Sequence, residues 1–526
     1  MKKVLSMLLT AAMVTGLSVP AFAGEMAGKL VLIHTNDIHG HYETAEGKLG
    51  IAGVATLKNH YEAMGAEVLL LDAGDFSQGT TLVNHHKGLN AAEYLAAAEY
   101  DAVVLGNHEF DFGQEALFDM TAALEAGGVS VLDANILEED TGEAFFEDSV
   151  IIEKGDLDIG VFGLTTAETQ TSAAPNNIKG VDFADKEDMF AIAQAQVDAL
   201  KEAGSDYIIC VAHLGVDEES SGRRSADLAE AVTGVDIIID GHSHTELDGG
   251  MVVGDTMITS TGSYMANVGT VIVDMETGEE TADLISAAEY AENYGVYEEA
   301  LTAMVAEDIA EINAAYEDVF AETVADLNGE RDPGVRTMET NLGDFTADAY
   351  LYAAREYARE TGLDMSVDVA ISNGGGIRAS IPAGKISMNT LYTVFPYNNT
   401  VVMVTVTGAQ LKRMLMFMLR DETWQGDHCE FYQLSKGLKV VYDKKKREML
   451  EFTFEGEAIA DDRLLRGCIQ KFHYLNFDEF FSVPLEEVAA NKKPVVVSTS
   501  TNDILEEYFM AHQQLDRQLD GRLTLI

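Results

Sequence analysis

The distribution of apolar positions splits the chain into two halves with a helical stretch between them. In the first half, short apolar runs rich in β-branched residues occupy 30–35, 68–72, 102–106, 130–134, 159–164, 207–212, 235–240, 257–260 and 268–274, and amphipathic helical stretches separate most of them. Strands of this length between helices predict an α/β layered domain. The later runs lie closer together, so part of the sheet is expected to be antiparallel. From 297 to 324, Leu301, Met304, Val305, Ile309, Ile312, Tyr316, Val319 and Phe320 recur at helical spacing with acids between them. No Pro or Gly interrupts that stretch, which predicts one long helix joining two domains.

The second half opens on the polar stretch NGERDPGVR. A helix is then expected to start at Asn341, with Asp344 in its first turn, and to run to about Glu360. A strand at 367–371 leads into SNGGGIRAS. Further on, Thr407 and Gln410 have the spacing of a capping box in front of LKRMLMFML. These elements describe a second α/β unit with its own core. The domain limits expected are 24–295 for the first domain, 296–325 for the linking helix and 326–526 for the second domain.

The start of the chain changes the picture of where the protein works. Lys2 and Lys3 precede an apolar run at 4–19 and then Ala21-Phe22-Ala23. That order is a secretory signal with cleavage after Ala23, since the apolar run is short for a bilayer crossing. The expected location is periplasmic or extracellular. A formal net charge of −55 repels nucleic-acid polymers and anionic membrane surfaces, so the partner expected is a small molecule. A small anion remains compatible where metals and a few arginines reverse the local field. Three well-separated cysteines form neither a disulfide scaffold nor a thiolate metal site. Cys210 sits in an apolar strand, and whether Cys429 and Cys468 pair is left open.

Five strand ends in the first half carry the same class of side chain. HTNDIHGH presents Asp37 and His39, DAGD presents Asp75, GNHEFD presents Asn107, His108 and Asp111, VAHLG presents His213, and DGHSH presents His242 and His244. In a parallel α/β sheet these ends share one edge, where ligands bind. Seven carboxylate, imidazole and amide donors are too many for one tetrahedral ion. They suit two ions sharing a carboxylate, for which Asp75 is the candidate. Two such ions lower the pKa of a shared water and clamp the oxygens of an in-line displacement. Imidazole donors favour Zn, Mn, Fe or Co over Mg. His108 is better placed to steady phosphoryl oxygens or protonate a leaving group, with Asp111 fixing its tautomer.

DIHGH, GDFSQG, GNHEFD, AHLG and GHSH resemble the motifs of calcineurin-like metallophosphoesterases, and more narrowly the bacterial secreted 5′-nucleotidase family, which includes UDP-sugar hydrolases and 2′,3′-cyclic-nucleotide phosphodiesterases. The resemblance covers essentially the whole chain after the signal. It implies an α-β-β-α layered metallophosphoesterase domain, a linking helix and a second α/β substrate-binding domain that moves by a hinge. It assigns Asp37, His39 and Asp75 to one metal, with His244 completing it, and Asp75, Asn107, His213 and His242 to the other. His108 and Asp111 match the catalytic dyad. In the second domain Arg331, Arg336 and Arg378 resemble substrate-binding arginines, and Asn373 to Gly376, with Gly375 among them, would let a ligand approach the backbone. Tyr397 and Phe472 match the two aromatics that sandwich the base. After the second aromatic, relatives have a Gly-rich G-G-D-G segment, whereas this chain has HYLNFDEFFSVP. The activity implied is release of phosphate from nucleoside 5′-monophosphates. A cyclic-nucleotide phosphodiesterase with 3′-nucleotidase activity, or a UDP-sugar hydrolase, is the alternative within the family. A non-catalytic nucleotide-binding surface protein is the alternative outside it.

Overall fold

The computed structural model describes residues 24–173, 177–217, 220–362, 366–396, 399–420, 431–498, 500–512 and 519–526, with the side chains of 171, 172, 331 and 332 left out. The signal read at 1–23, Tyr397 and Cys429 therefore lie outside the described residues.

In the first domain the strands are β1 (Lys29–Thr35), β2 (Glu67–Asp72), β3 (Ala102–Val103), β4 (Ser130–Val131), β5 (Ile136–Glu138), β6 (Ser149–Lys154), β7 (Leu157–Thr165), β8 (Val181–Phe183), β9 (Tyr207–His213), β10 (Ile237–Asp240), β11 (Met251–Val253), β12 (Thr256–Thr259), β13 (Asn267–Asp274) and β14 (Glu279–Ser286). They form two six-stranded sheets, ordered β14-β13-β1-β2-β3-β4 and β11-β12-β10-β9-β7-β6. β1 to β4 run parallel, with β13 and β14 added antiparallel at the edge. β7, β9, β10 and β12 run parallel, flanked by antiparallel β6 and β11.

The alternation of side chains along β1 explains the layering. Leu30 and Leu32 point between the sheets, where they meet Ile159, Val161, Ile209 and Ile237 from the other sheet. Val31 and Ile33 point outward against the helices Gly50–Ala63 and Leu89–Ala97. On the far side, Lys186–Ala203 and Ser225–Ala231 cover the second sheet. A strand apolar on both faces is stable only where both are covered, and the result is an α-β-β-α sandwich.

The linking helix is shorter than the periodicity predicts. It spans Glu299–Tyr316, and Val319–Thr323 is a strand paired antiparallel with Gly384–Ser387 of the second domain. Glu317 and Asp318 place negative charge at the helix C-terminus, where the dipole disfavours it, and Val319 and Phe320 suit a strand better. Leu301, Val305 and Ile312 are buried in the first domain's core, so the helix is also packed as part of that domain.

The second domain has a five-stranded sheet in the order Tyr432–Leu434, Val369–Asn373, Leu464–Gln470, Val401–Thr407, Val495–Ser498. The helices Asn341–Glu360 and Thr501–Ala511 pack on one face, and Gly408–Met418 and Phe477–Phe481 on the other. The first of these helices spans Asn341–Glu360 as expected, and Thr340 is its N-cap, its hydroxyl accepting from the Gly343 N–H. The Thr407–Gln410 capping box forms as read. Among the described residues no helix is long and apolar enough to cross a membrane.

Candidate active site

β1, β2 and β3 are parallel within one sheet, β9 and β10 within the other, and their carboxyl ends meet at one edge of the sandwich. Asp37, His39, Asp75, Asn107, His213, His242 and His244 all leave from these ends, and the fold brings them together. Five of them turn through left-handed backbone: φ is 50° at Asp37, 47° at His39, 57° at Asp75, 75° at His242 and 53° at His244. Such conformations are uncommon for residues other than Gly and aim side chains back over the strand ends. Between them Gly74 (φ +86°) has no room for a side chain, because a Cβ would lie 2.6 Å from the Gly106 nitrogen and 2.9 Å from His213 Nδ1.

Two groups of donors result. His244 Nε2 lies 3.3 Å from Asp37 Oδ1 and 3.2 Å from His39 Nε2. Asp75 Oδ2 stands between the groups, 3.7 Å from His39 Nε2 and 3.2 Å from His213 Nε2. On the second side His242 Nδ1 lies 3.0 Å from Asn107 Oδ1. The donor set fits cations on two observations. His213 Nε2 is buried and makes no hydrogen bond, facing the Asp75 carboxylate at 3.2 Å as two donors turned toward one point. His39 and His244 face one another through imidazole nitrogens at contact distance, an arrangement that a shared ion relieves.

Protonation follows from burial and these charges. Burial opposes ionisation of Asp75, yet the His213 and His108 imidazoles outweigh it and hold the carboxyl well below its usual range. Asp37 is lowered as well, burial being outweighed by its bond to His244 and by His213. Burial takes His39 down to about 4 against the pull of Asp75, so its ring is neutral with a lone pair to give. His213 moves the other way, to about 10, because Asp75 and Asp37 overcome its burial. A cation entering there displaces a proton.

Four of the five imidazoles are fixed through their other nitrogen. His39 Nδ1 is held by the Gln78 carbonyl at 3.0 Å, His213 Nδ1 by the Ala73 carbonyl at 2.7 Å, and His242 Nε2 by Glu168 at 3.0 Å. His108 Nδ1 bonds Asp111 at 2.7 Å. Such partners set tautomer and ring orientation. Two carboxylates that position the site, Glu168 and Glu109, escape the sequence reading. Glu168 lies in the loop after β7, with no pattern to mark it. Glu109 lies inside GNHEFD, but its side chain points away from the cavity. It is 1% exposed and accepts from the N–H groups of Asp75, Phe76, Ser77 and Gly106 and from the Ser77 hydroxyl. It thereby ties the Asp75 loop to the strand end that carries His108. Burial and the Asp75 charge raise its pKa.

The donors open into a cavity of about 470 Å³ between the two domains. His108, His242 and His244 line it from the first domain, Arg378, Thr393 and Pro396 from the second. Hydrogen bonds cross the junction beside it, from Asn84 Nδ2 to the Pro396 carbonyl (2.9 Å) and from Asn389 Nδ2 to Asn313 Oδ1 (3.2 Å).

Of the other residues predicted in the second domain, those whose side chains are described do not line the cavity. Asn373 bonds His473 Nε2 and caps the Gly375 N–H. Gly374 is needed for its own chain, since a Cβ there would lie 1.9 Å from the Val335 carbonyl oxygen. The turn Arg331–Val335 reaches that same loop, but the Arg331 side chain lies outside the described residues. Arg336 Nε is buried without a hydrogen bond. Phe472 packs against Phe480 (ring centroids 5.3 Å apart) and is not among the residues lining the cavity.

Residues 30–246 match the family model of the calcineurin-like phosphoesterases, and residues 319–483 that of the 5′-nucleotidase C-terminal domain. The trifunctional nucleotide phosphoesterase of Bacillus subtilis is 30% identical over 73% of this chain, which spans only 27% of that protein. The 5′-nucleotidase of Vibrio cholerae is 27% identical over 98% of this chain and 97% of its own length. The crystal structure of the Thermus thermophilus 5′-nucleotidase precursor superposes with a TM-score of 0.71 at 27% identity, covering 95% of this chain and 99% of that one.

Proposed function

The chain belongs to the calcineurin-like phosphoesterases that carry a 5′-nucleotidase C-terminal domain, and from that premise we propose that it hydrolyses nucleoside 5′-monophosphates as an exported metal-dependent phosphohydrolase. The observation that supports this most is the cavity that joins the carboxylate–imidazole cluster to Arg378 of the second domain. A phosphate held at the cluster leaves the rest of the nucleotide within reach of residues from the other domain.

Two divalent ions of the Zn, Mn, Fe or Co class, one held by Asp37, His39, His244 and Asp75 and one by Asp75, Asn107, His213 and His242, would supply an activated water and neutralise phosphoryl charge. The chain's own groups do the remaining work. Asp111 accepts from His108 Nδ1 and stabilises the imidazolium form of the ring, whose Nε2–H donates to a phosphoryl oxygen and then passes its proton to the departing alkoxide, leaving the ring neutral. The Gln78 and Ala73 carbonyls and Glu168 hold the His39, His213 and His242 imidazoles in one orientation each. Arg378 offers a planar cation to the nucleotide.

The test is phosphate release by the purified protein with added Mn or Zn, from AMP, 3′-AMP, 2′,3′-cyclic AMP, UDP-glucose and a sugar phosphate. Each substrate is run beside the Asp75→Ala, His108→Ala double variant. Release led by AMP and lost in the variant supports the proposal. Release led by 2′,3′-cyclic AMP or 3′-AMP assigns the chain to the phosphodiesterase branch, and release led by UDP-glucose to the sugar-nucleotide branch. No metal-dependent release from any substrate refutes hydrolysis and leaves a nucleotide-binding protein.

A further inference from the structure

A second group of metal-type donors lies apart from the cavity, at the joint between the linking helix and the first domain. His85 and His86 follow the short helix Thr81–Asn84, and Glu311 is on the linking helix Glu299–Tyr316. One donor atom from each falls within 4.8 Å of the other two. None of the three lines the catalytic cavity.

Four details distinguish this group from a chance meeting of polar surface residues. His86 Nε2 is buried with no hydrogen-bond partner, a state that leaves a desolvated lone pair or N–H uncompensated. His85 Nδ1 is already engaged by the Tyr316 hydroxyl at 2.6 Å, so its Nε2 is the nitrogen left to act. A carbonyl, carboxylate or hydroxyl on the far ring nitrogen is the arrangement that orients a ligating imidazole. The two rings meet edge to face at 86°, with centroids 4.8 Å apart, so their nitrogens do not stack face to face. Glu311 is exposed and adds the negative charge that two neutral imidazoles lack.

We propose that His85, His86 and Glu311 bind a third divalent transition cation, with water completing a four-coordinate site. Two nitrogens and one carboxylate oxygen suit zinc or a neighbouring ion over magnesium or calcium. The three side chains have to draw in, since Zn–N and Zn–O distances are about 2.0–2.2 Å, and Glu311 on its exposed face can do so. The consequence is mechanical. The ion pins the linking helix to the first domain. Tyr316, bonded to His85, packs its ring 5.3 Å from that of Tyr392 in the second domain, so occupancy of the site bears on how the two domains sit.

The experiment is metal stoichiometry. The protein is stripped with chelator, reloaded with excess zinc, desalted and counted by mass spectrometry, as wild type and as His86→Ala and Glu311→Ala. Each variant is expected to hold one zinc fewer per chain than wild type. Glu311→Ala changes an exposed side chain and keeps the test valid if His86→Ala misfolds. The same loss of one ion is expected in a His213→Ala background, where the catalytic cluster is broken. Equal counts in wild type and both variants overturn the proposal. So does a difference that vanishes in the His213→Ala background, because the missing ion then belonged to the catalytic cluster.

Discussion

Replacing Glu109 by Gln tests whether the catalytic loops are held by one buried carboxylate. Its two oxygens divide five donors: Oε1 takes the Phe76 and Ser77 N–H groups and the Ser77 hydroxyl, Oε2 takes the Asp75 and Gly106 N–H groups. A glutamine amide has one acceptor oxygen, and its NH2 must face one of these sets. In the better orientation two backbone N–H groups, those of Asp75 and Gly106, are left buried and opposed by a donor. Each stranded donor costs about 1–3 kcal/mol, so the loss is about 2–6 kcal/mol. Domains are stable by only about 5–15 kcal/mol, so the change is large. Urea unfolding in the presence of chelator reads the fold without any bound metal, and zinc competition reads the Asp75 loop. Both are expected to weaken. A rival account is that Glu109 chiefly repels Asp75, and then the neutral amide would stabilise the protein. A Glu109→Gln variant within about 1 kcal/mol of wild type, or more stable than it, would refute the clamp.

Further outcomes follow from other residues. Glu168→Gln removes the carboxylate on His242 Nε2 and is expected to lower affinity for the catalytic metal about 10–100-fold in a competition titration, with the unfolding midpoint of the metal-free protein little changed. Arg378→Ala is expected to raise KM for a nucleotide about tenfold or more with a smaller change in kcat, measured by phosphate release. Asp344, in the second domain, has its pKa raised to about 8 by burial against the pull of Arg522. Its folded-state pKa is above the unfolded value, so the stability it contributes is present at low pH and is lost as pH rises from about 4 through 8. Asp344→Asn removes that titration, so its stability relative to wild type should grow between pH 5 and pH 8.5. Parallel urea midpoints across that range would contradict the assignment.

What the sequence makes legible is the part of the fold where local composition and tertiary role coincide. Strands buried on both faces, such as β1 and β9, are apolar throughout and end in ligand residues, so both the strand and its loop can be read. β14 is missed because its eight residues, EETADLIS, lie at a sheet edge and need little apolar surface. The linking helix is overrun because Val319 and Phe320 continue the helical spacing, and only pairing with Gly384–Ser387 makes them a strand. In the site, residues that point into the cavity belong to recognisable strand-end motifs. Glu109 and Glu168 act through other residues, and nothing local separates such a carboxylate from the many on this acidic surface. Phe472 matches by position alone: its ring packs against Phe480, within a segment whose composition differs from that of the relatives.

The left-handed turns at Asp37, His39, His242 and His244 bear on how this protein would evolve under selection. Each holds a side chain in a backbone well that costs an L-residue about 1–2 kcal/mol of steric strain, which glycine does not incur. A library screened only for heat tolerance will therefore enrich glycine at these four positions. The winners will be hardier and inert, and the positions where they gather will mark the centre that the selection ignored.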